Sequence, residues 1–167
     1  KVFKGIAQRG KCSMGWFFGF KLHLICNEKG ELLNFMITPG DVDDRKPLEY
    51  KAFMDFIYGK PVGDKGYISK NLFQRLFVDG IQLITKLKSN MKGALMSVSD
   101  RLLLRKRAII ETVNDELKNI AQVEHSGHRC FDNFIVNLLG AIAAYCLFPK
   151  KPCINLQRTI DTQLALL

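Results

Sequence analysis

The sequence lacks an uninterrupted apolar run long enough to cross a bilayer. Its most apolar stretch, Phe131 to Phe148, is broken by Asp132, Asn133 and Asn137, whereas a helical span needs about 20 predominantly apolar residues. A buried helix is expected there, and no membrane partner. Acidic side chains are few beside basic ones, 16 against 25, leaving a net charge of +9. That balance favours a polyanionic partner, nucleic acid or an anionic surface. The five cysteines, Cys12, Cys26, Cys130, Cys146 and Cys153, are odd in number and irregular in spacing, and no signal peptide precedes them. Reduced thiols in a cytosolic protein are expected, rather than a secreted disulfide scaffold. There is no internal repeat, and no Met at position 1, so the chain is expected to continue a longer reading frame.

What is present fits one domain. A length of 167 residues can bury a real core, and 47% hydrophobic with 25% charged residues is ordinary for a globular protein. Residues 1–15 are basic and punctuated by Gly5, Gly10 and Gly15, and read as an irregular arm. From Trp16 to Cys26 the pattern alternates, with Phe20, Leu22, Leu24 and Cys26 on one face and Lys21 and His23 on the other, predicting a half-buried strand. Asn27 to Gly30 is turn chemistry, and Leu32 to Thr38 completes a hairpin. A helical period follows in Leu48, Ala52, Phe53, Phe56 and Ile57. Lys60 to Asp64 reads as a short strand. Ser69 reads as the N-cap of a helix carrying Leu72, Phe73, Leu76 and Phe77 and closed by Gly80. Ile81 to Lys88 alternates as a strand, and Lys86, Lys88 and Lys92 place a basic rim at its exit. The last helix, capped by Asp132, turns Phe134, Ile135, Leu138, Leu139, Ile142 and Leu147 to the core, and 149–167 reads as a tail.

Two clusters suggest metal sites without the spacing to make them. Asp41, Asp43 and Asp44 lack the glycine and terminal glutamate of a calcium loop, so loop solvation and capping are expected. His125, His128 and Cys130 have no second ligand pair, which argues against structural zinc.

The most ordered polar face belongs to the helix expected over 101–122. At about 100° per residue, Ile109, Ile110, Val113, Leu117 and Ile120 form an apolar stripe, while Arg107, Glu111, Asn114 and Lys118 form a row about a third of a turn or more away. Such a row suits a solvated salt-bridged surface, or a carboxylate held between cations and presented to metal and phosphate.

The spacing Arg107-x3-Glu111-x6-Lys118 resembles the signature around the last acidic residue of bacterial insertion-sequence transposases of the DDE type. Leu104 stands where that family often has Tyr. The segment Val62-Gly63-Asp64-Lys65-Gly66-Tyr67 is similar to the one carrying the family's second Asp. Gly19 to Leu24, followed by Thr38 to Asp44, resembles the strand pair and loop preceding it. Together these span roughly positions 15 to 120 in the family's order.

The resemblance implies an α/β fold: an RNase H-like mixed sheet covered by helices, with 16–148 as a partial catalytic domain. The family's first strand, central in the sheet and bearing the first catalytic Asp, would precede Lys1. By resemblance, Asp64 and Glu111 are the catalytic, metal-binding carboxylates. Arg107, Lys118, Lys65, Lys86 and Lys88 would meet DNA phosphates, with Asn114 as support. The cofactor would be Mg²⁺ or Mn²⁺ at a two-metal site that is incomplete here. The expected function is metal-dependent cleavage and strand transfer of DNA, acting on element ends and target, in a bacterial, nucleoid-associated cytoplasmic protein. With one carboxylate absent, this chain is expected to be inactive unless another copy or an intact transposase supplies it. The competing expectation is a non-catalytic basic remnant that binds DNA or pairs with a transposase. A third is a helical partner-binding protein with incidental charge.

Overall fold

A computed structural model describes residues 3–12, 15–27, 29–59, 61–63, 69–85, 107–123 and 127–153. Three strands, Gln8–Cys12 (β1), Gly15–Cys26 (β2) and Leu32–Pro39 (β3), form an antiparallel sheet in the order β1-β2-β3. Two short strands, Val62–Gly63 (β4) and Ile84–Thr85 (β5), pair in parallel. Between them runs the helix Lys70–Val78, the crossover that parallel strands require. Around these lie a 3-10 turn at Lys46–Glu49 and the helices Lys51–Met54 (α1), Lys70–Val78 (α2), Arg107–Asn119 (α3) and Phe131–Cys146 (α4). The architecture is the mixed α/β one expected, with one difference in its sheets. Among the described residues, the antiparallel and parallel strands belong to two separate sheets.

The first correction concerns the N-terminal segment. Residues 8–12, expected within an irregular arm, form β1 and pair with β2 from Gln8↔Gly19 to Cys12↔Gly15. Glycine makes this possible. A Cβ on Gly40 would lie 2.8 Å from the Gln8 carbonyl oxygen and 2.9 Å from Phe17 Cε2, and Gly10 and Gly40 meet backbone to backbone. Phe3 then closes an aromatic cluster with Phe20, Phe131 and Phe134, its ring 5.8 Å from Phe20 and 5.8 Å from Phe134. Hydrophobic burial, which periodicity could not reveal in so short a run, ties the segment down.

The β2–β3 hairpin has other elements packed on both faces, and most of β2 is half-buried, as expected. On one face Leu24, Cys26 and Leu32 pack against the cluster of Ile109, Val113 and Leu117 from α3 and Tyr145 from α4. On the other, Asn34 Nδ2 donates to the Ala52 and Phe53 carbonyls of α1 at 3.2 and 3.1 Å. His23, expected to face solvent, is consequently buried. The turn between the strands is held by Asn27, whose Oδ1 accepts from the Lys29 and Glu31 amides, and by Gly30 at φ +71. The Tyr145 hydroxyl donates to the Gly30 carbonyl from across the fold. Burial, with Glu116 as a lesser cause, pushes the Tyr145 phenol up to about 12.

The helices begin and end where local chemistry dictates. Ser69 Oγ accepts from the Leu72 amide, and Gly80 at φ +75 closes α2, both as expected. The helix expected through Ile57 is instead a 3-10 turn followed by the four residues of α1, with extended Tyr50 between them and Phe56 at φ +62 beyond. Cys130, rather than Asp132, occupies the N-cap of α4; Asp132 lies in its first turn, where its charge favours the helix dipole.

Several apolar side chains assigned to the core from periodicity lie outside it. Phe56, Phe77, Ile120, Leu139 and Leu147 are exposed, while Tyr145 is fully buried. Ile120 leaves the stripe because α3 ends at Asn119. No described helix is long and apolar enough to cross a membrane.

The contrast at the end of α3 is measurable. Leu117→Ala, which opens a cavity in the α3–α4–hairpin core, is expected to cost about 2–5 kcal/mol in denaturant unfolding. Ile120→Ala, one turn on, is expected to change stability by about 0.5 kcal/mol or less. Equal losses would refute the assigned boundary of the core.

Candidate active site

The cores on either side of β2 leave a cleft of about 390 Å³ between the C-terminal half of β2, the start of α3 and the approach to β4. The orientation of α3 opens Glu111 onto it. With Ile109, Val113 and Leu117 fixed against the hairpin and α4, residues about 100° to 200° around the helix must point away from that core. Ile110 lies at the boundary and is half-buried, whereas Glu111 and Asn114 are exposed and line the cleft. Lys118 is exposed one turn further on. The backbone of Arg107 forms the first residue of α3.

On the opposite wall are Pro61 and Val62, the latter the first residue of β4. β4 ends at Gly63, and the carboxyl end of a parallel strand is where open α/β sheets receive their ligands. Asp64 itself lies outside the described residues, as do Lys65, Lys86 and Lys88 and residues 101–106, where the expected helix begins. Of the assigned site residues, the structure therefore brings Glu111 and Asn114 together at the cleft.

Two polar residues that sequence reading did not assign to this site also line it. His23 and Asp44 lie along its wall, linked through the segment that covers the hairpin. Lys21 Nζ donates to the Val42 carbonyl at 2.7 Å and pairs with Asp44 at 2.9 Å. His23 Nε2 lies 2.9 Å from Thr38 Oγ1, both residues being buried. Burial lowers the His23 pKa; Asp44 opposes that shift and Lys21 reinforces it. A neutral imidazole results at neutral pH. Asp43, one residue before Asp44, instead turns to Arg45, whose guanidinium and amide hydrogen bonds hold its carboxyl well below the usual range.

Among the described residues β3 lies at the edge of its sheet, and the chain beyond it folds back far enough for Asp44 to reach the cleft. A signal for this existed in Lys21, a cation on a strand with an acidic loop two dozen residues downstream. Its direction could not be read before the sheet's covered faces were known. Cys26 also lines the cleft, and burial pushes its thiol up to about 11. It is therefore a packing group with little thiolate at neutral pH.

The donor set of the cleft is hard oxygen from Glu111 and Asp44 with one imidazole. Among the described residues, no three His, Cys, Asp or Glu side chains stand close enough to hold a metal ion together. Asp44 is engaged by Lys21.

The depressed His23 pKa fixes a sign. As pH falls, the unfolded chain takes up this proton near 6.5 before the folded protein does. His23 thus contributes stability that is complete above about pH 6.5 and is lost as pH falls towards its lower folded pKa. The thermal midpoint is expected to decline through that window, and His23→Gln to flatten the decline. An unchanged slope in the variant would assign the pH response elsewhere.

The sequence profile described as Transposase DDE domain matches residues 1–131. Searches of curated proteins and of solved structures returned no match. The profile covers more than half of the chain, including β1 to β5 and the helix that carries Glu111. The chain therefore belongs to the transposase DDE domain family.

Proposed function

We propose that this chain carries part of the catalytic site of a DNA transposase of RNase H-like fold, with Asp64 and Glu111 as two of the carboxylates that hold divalent metal. The family generally uses divalent metal and acts on DNA. The observation that carries the assignment is the shared cleft. Glu111 on α3 and Val62, two residues before Asp64, line the same opening although 49 positions separate them in sequence. Bound there, Mg²⁺ or Mn²⁺ would supply the charge that activates an attacking oxygen and stabilises the leaving oxygen of a DNA phosphate.

The chain's own residues would do the rest. Glu111, on a helix fixed by its buried face, presents a carboxylate with little freedom to retreat. Arg107 and Lys118 flank it along the helix and would steady it and adjoining phosphates; Asn114 supports the same row. Lys65, Lys86 and Lys88 would meet the backbone, where cations position DNA without reading sequence. Residues 16–148 form the body of the domain, joined through β1 by the 1–15 segment and followed by the 149–167 tail.

A two-metal site of this class draws on a third carboxylate. In an RNase H-like sheet it would sit on a strand between β2 and β4, and the cleft separates those strands. That strand would come from outside residues 1–167 or from another copy. The chain alone is then expected to bind metal weakly and to turn over negligibly.

Calorimetric titration with Mn²⁺ tests this without requiring turnover. A weak site is expected in the 167-residue chain, at least about tenfold weaker in Asp64→Ala and in Glu111→Ala. Any Mn²⁺-dependent nicking of duplex DNA is expected to vanish with either substitution. Metal binding unchanged in both variants would refute shared ligation. DNA gel shifts that persist without nicking or metal binding would leave the binding-only reading.

A further inference from the structure

The β1–β2 hairpin has two unlike faces. Register pairs Arg9 with Phe18, Gly10 with Phe17 and Lys11 with Trp16. Alternation therefore puts Gly10 and Phe17 on one side and Arg9, Lys11, Trp16 and Phe18 on the other. The first side closes on Gly40. On the second all four side chains are exposed, Trp16 at 73% and Phe18 at 42%. Lys11 Nζ stands 5.9 Å from the centre of the Trp16 ring, and a shallow depression runs between Arg9, Trp16 and Phe18.

Each cation thus faces an aromatic ring across the strands, in a two-by-two arrangement on a flat sheet surface. A core-forming face would not carry two cations, and a merely solubilising face would not expose the chain's single tryptophan. Aromatic faces with interleaved cations are the means by which sheets bind unpaired bases: the ring stacks on the base while the cation meets the adjoining phosphate. A duplex cannot use such a surface as well, because its base faces are covered by their neighbours.

We propose that the Arg9–Lys11–Trp16–Phe18 face of the β1–β2 hairpin is a binding site for unpaired DNA, stacking one or two bases on Trp16 and Phe18 and holding their phosphates with Arg9 and Lys11. The choice of DNA as occupant rests on the transposase reading above. The face itself involves none of the residues of the Glu111 cleft. It provides a grip on a strand that has left its duplex, as one must where a DNA end is opened for reaction.

Because Trp16 is the only tryptophan, its fluorescence reports on this face alone. Titration of the 167-residue chain with short oligodeoxythymidine is expected to quench Trp16 emission saturably. Duplex DNA of equal length and base-free heparin are expected to leave it nearly unchanged. By anisotropy of a labelled oligonucleotide, Trp16→Ala and Phe18→Ala are each expected to weaken binding by at least about fivefold. Arg9→Ala with Lys11→Ala should reduce the slope of log affinity against log salt by about 1.4, a change the aromatic variants should not produce. Because all four side chains are exposed, unfolding midpoints should not move.

Absent quenching, or equal quenching by heparin, would overturn the proposal. Tighter binding of oligouridine would assign the face to RNA instead. Emission that changes with protein concentration, together with a dimer mass in sedimentation, would assign it to a second copy. Asp64→Ala and Glu111→Ala should leave the quenching intact, so loss of metal binding and loss of strand binding are separable failures.

Discussion

The packing of α3 against the β2–β3 hairpin and α4 is the contact from which the rest of the arrangement follows. Val113 and Tyr145 are wholly buried at its centre, with Ile109 and Leu117 beside them. Tyr145 also reaches the Gly30 carbonyl in the hairpin turn, so one side chain binds three elements. A phenol buried this deeply needs a partner for its hydroxyl. The Gly30 carbonyl, exposed by a left-handed backbone that glycine tolerates, supplies it. With these groups in place α3 cannot rotate about its axis, and Glu111 is committed to the cleft.

Asp43 is tied to Arg45 within the loop after β3, and Asp44 to Lys21 of β2, which holds that loop against the hairpin. His23 is kept neutral by burial beside Thr38. These groups shape the wall of the cleft. Glu111 and Asn114 line its opening from a helix rather than a loop. The surplus of positive charge provides the long-range attraction that a DNA partner requires, and the shape of the cleft decides where a phosphate could be brought to a carboxylate.

Much of this was legible in the sequence because local chemistry and period act over a few residues. The Ser69 cap, the Gly80 closure, the Asn27–Gly30 turn, the hairpin and the buried stripe of Ile109, Val113 and Leu117 follow from spacing alone. The reading failed where an element stopped sooner than its pattern. Phe56, Phe77, Ile120 and Leu147 fit a helical period yet are exposed, because periodicity gives a direction around an axis and says nothing of whether another element lies there. β1 was missed for the opposite reason: five residues carrying two cations and a glycine have no apolar alternation, and only pairing with β2 makes them a strand.

The sequence by itself determined the class of fold, the family and the row of polar residues on α3, since these depend on residue type at fixed spacing. Tertiary structure alone decided which faces were covered. It buried His23, brought Asp44 to the wall of the cleft, and turned Glu111 and the approach to β4 onto one opening. It also left Trp16 and Phe18 outward beside Arg9 and Lys11. The physical reason is the same throughout: burial and convergence are properties of pairs of surfaces distant in the chain, and no local pattern records what the second surface will be.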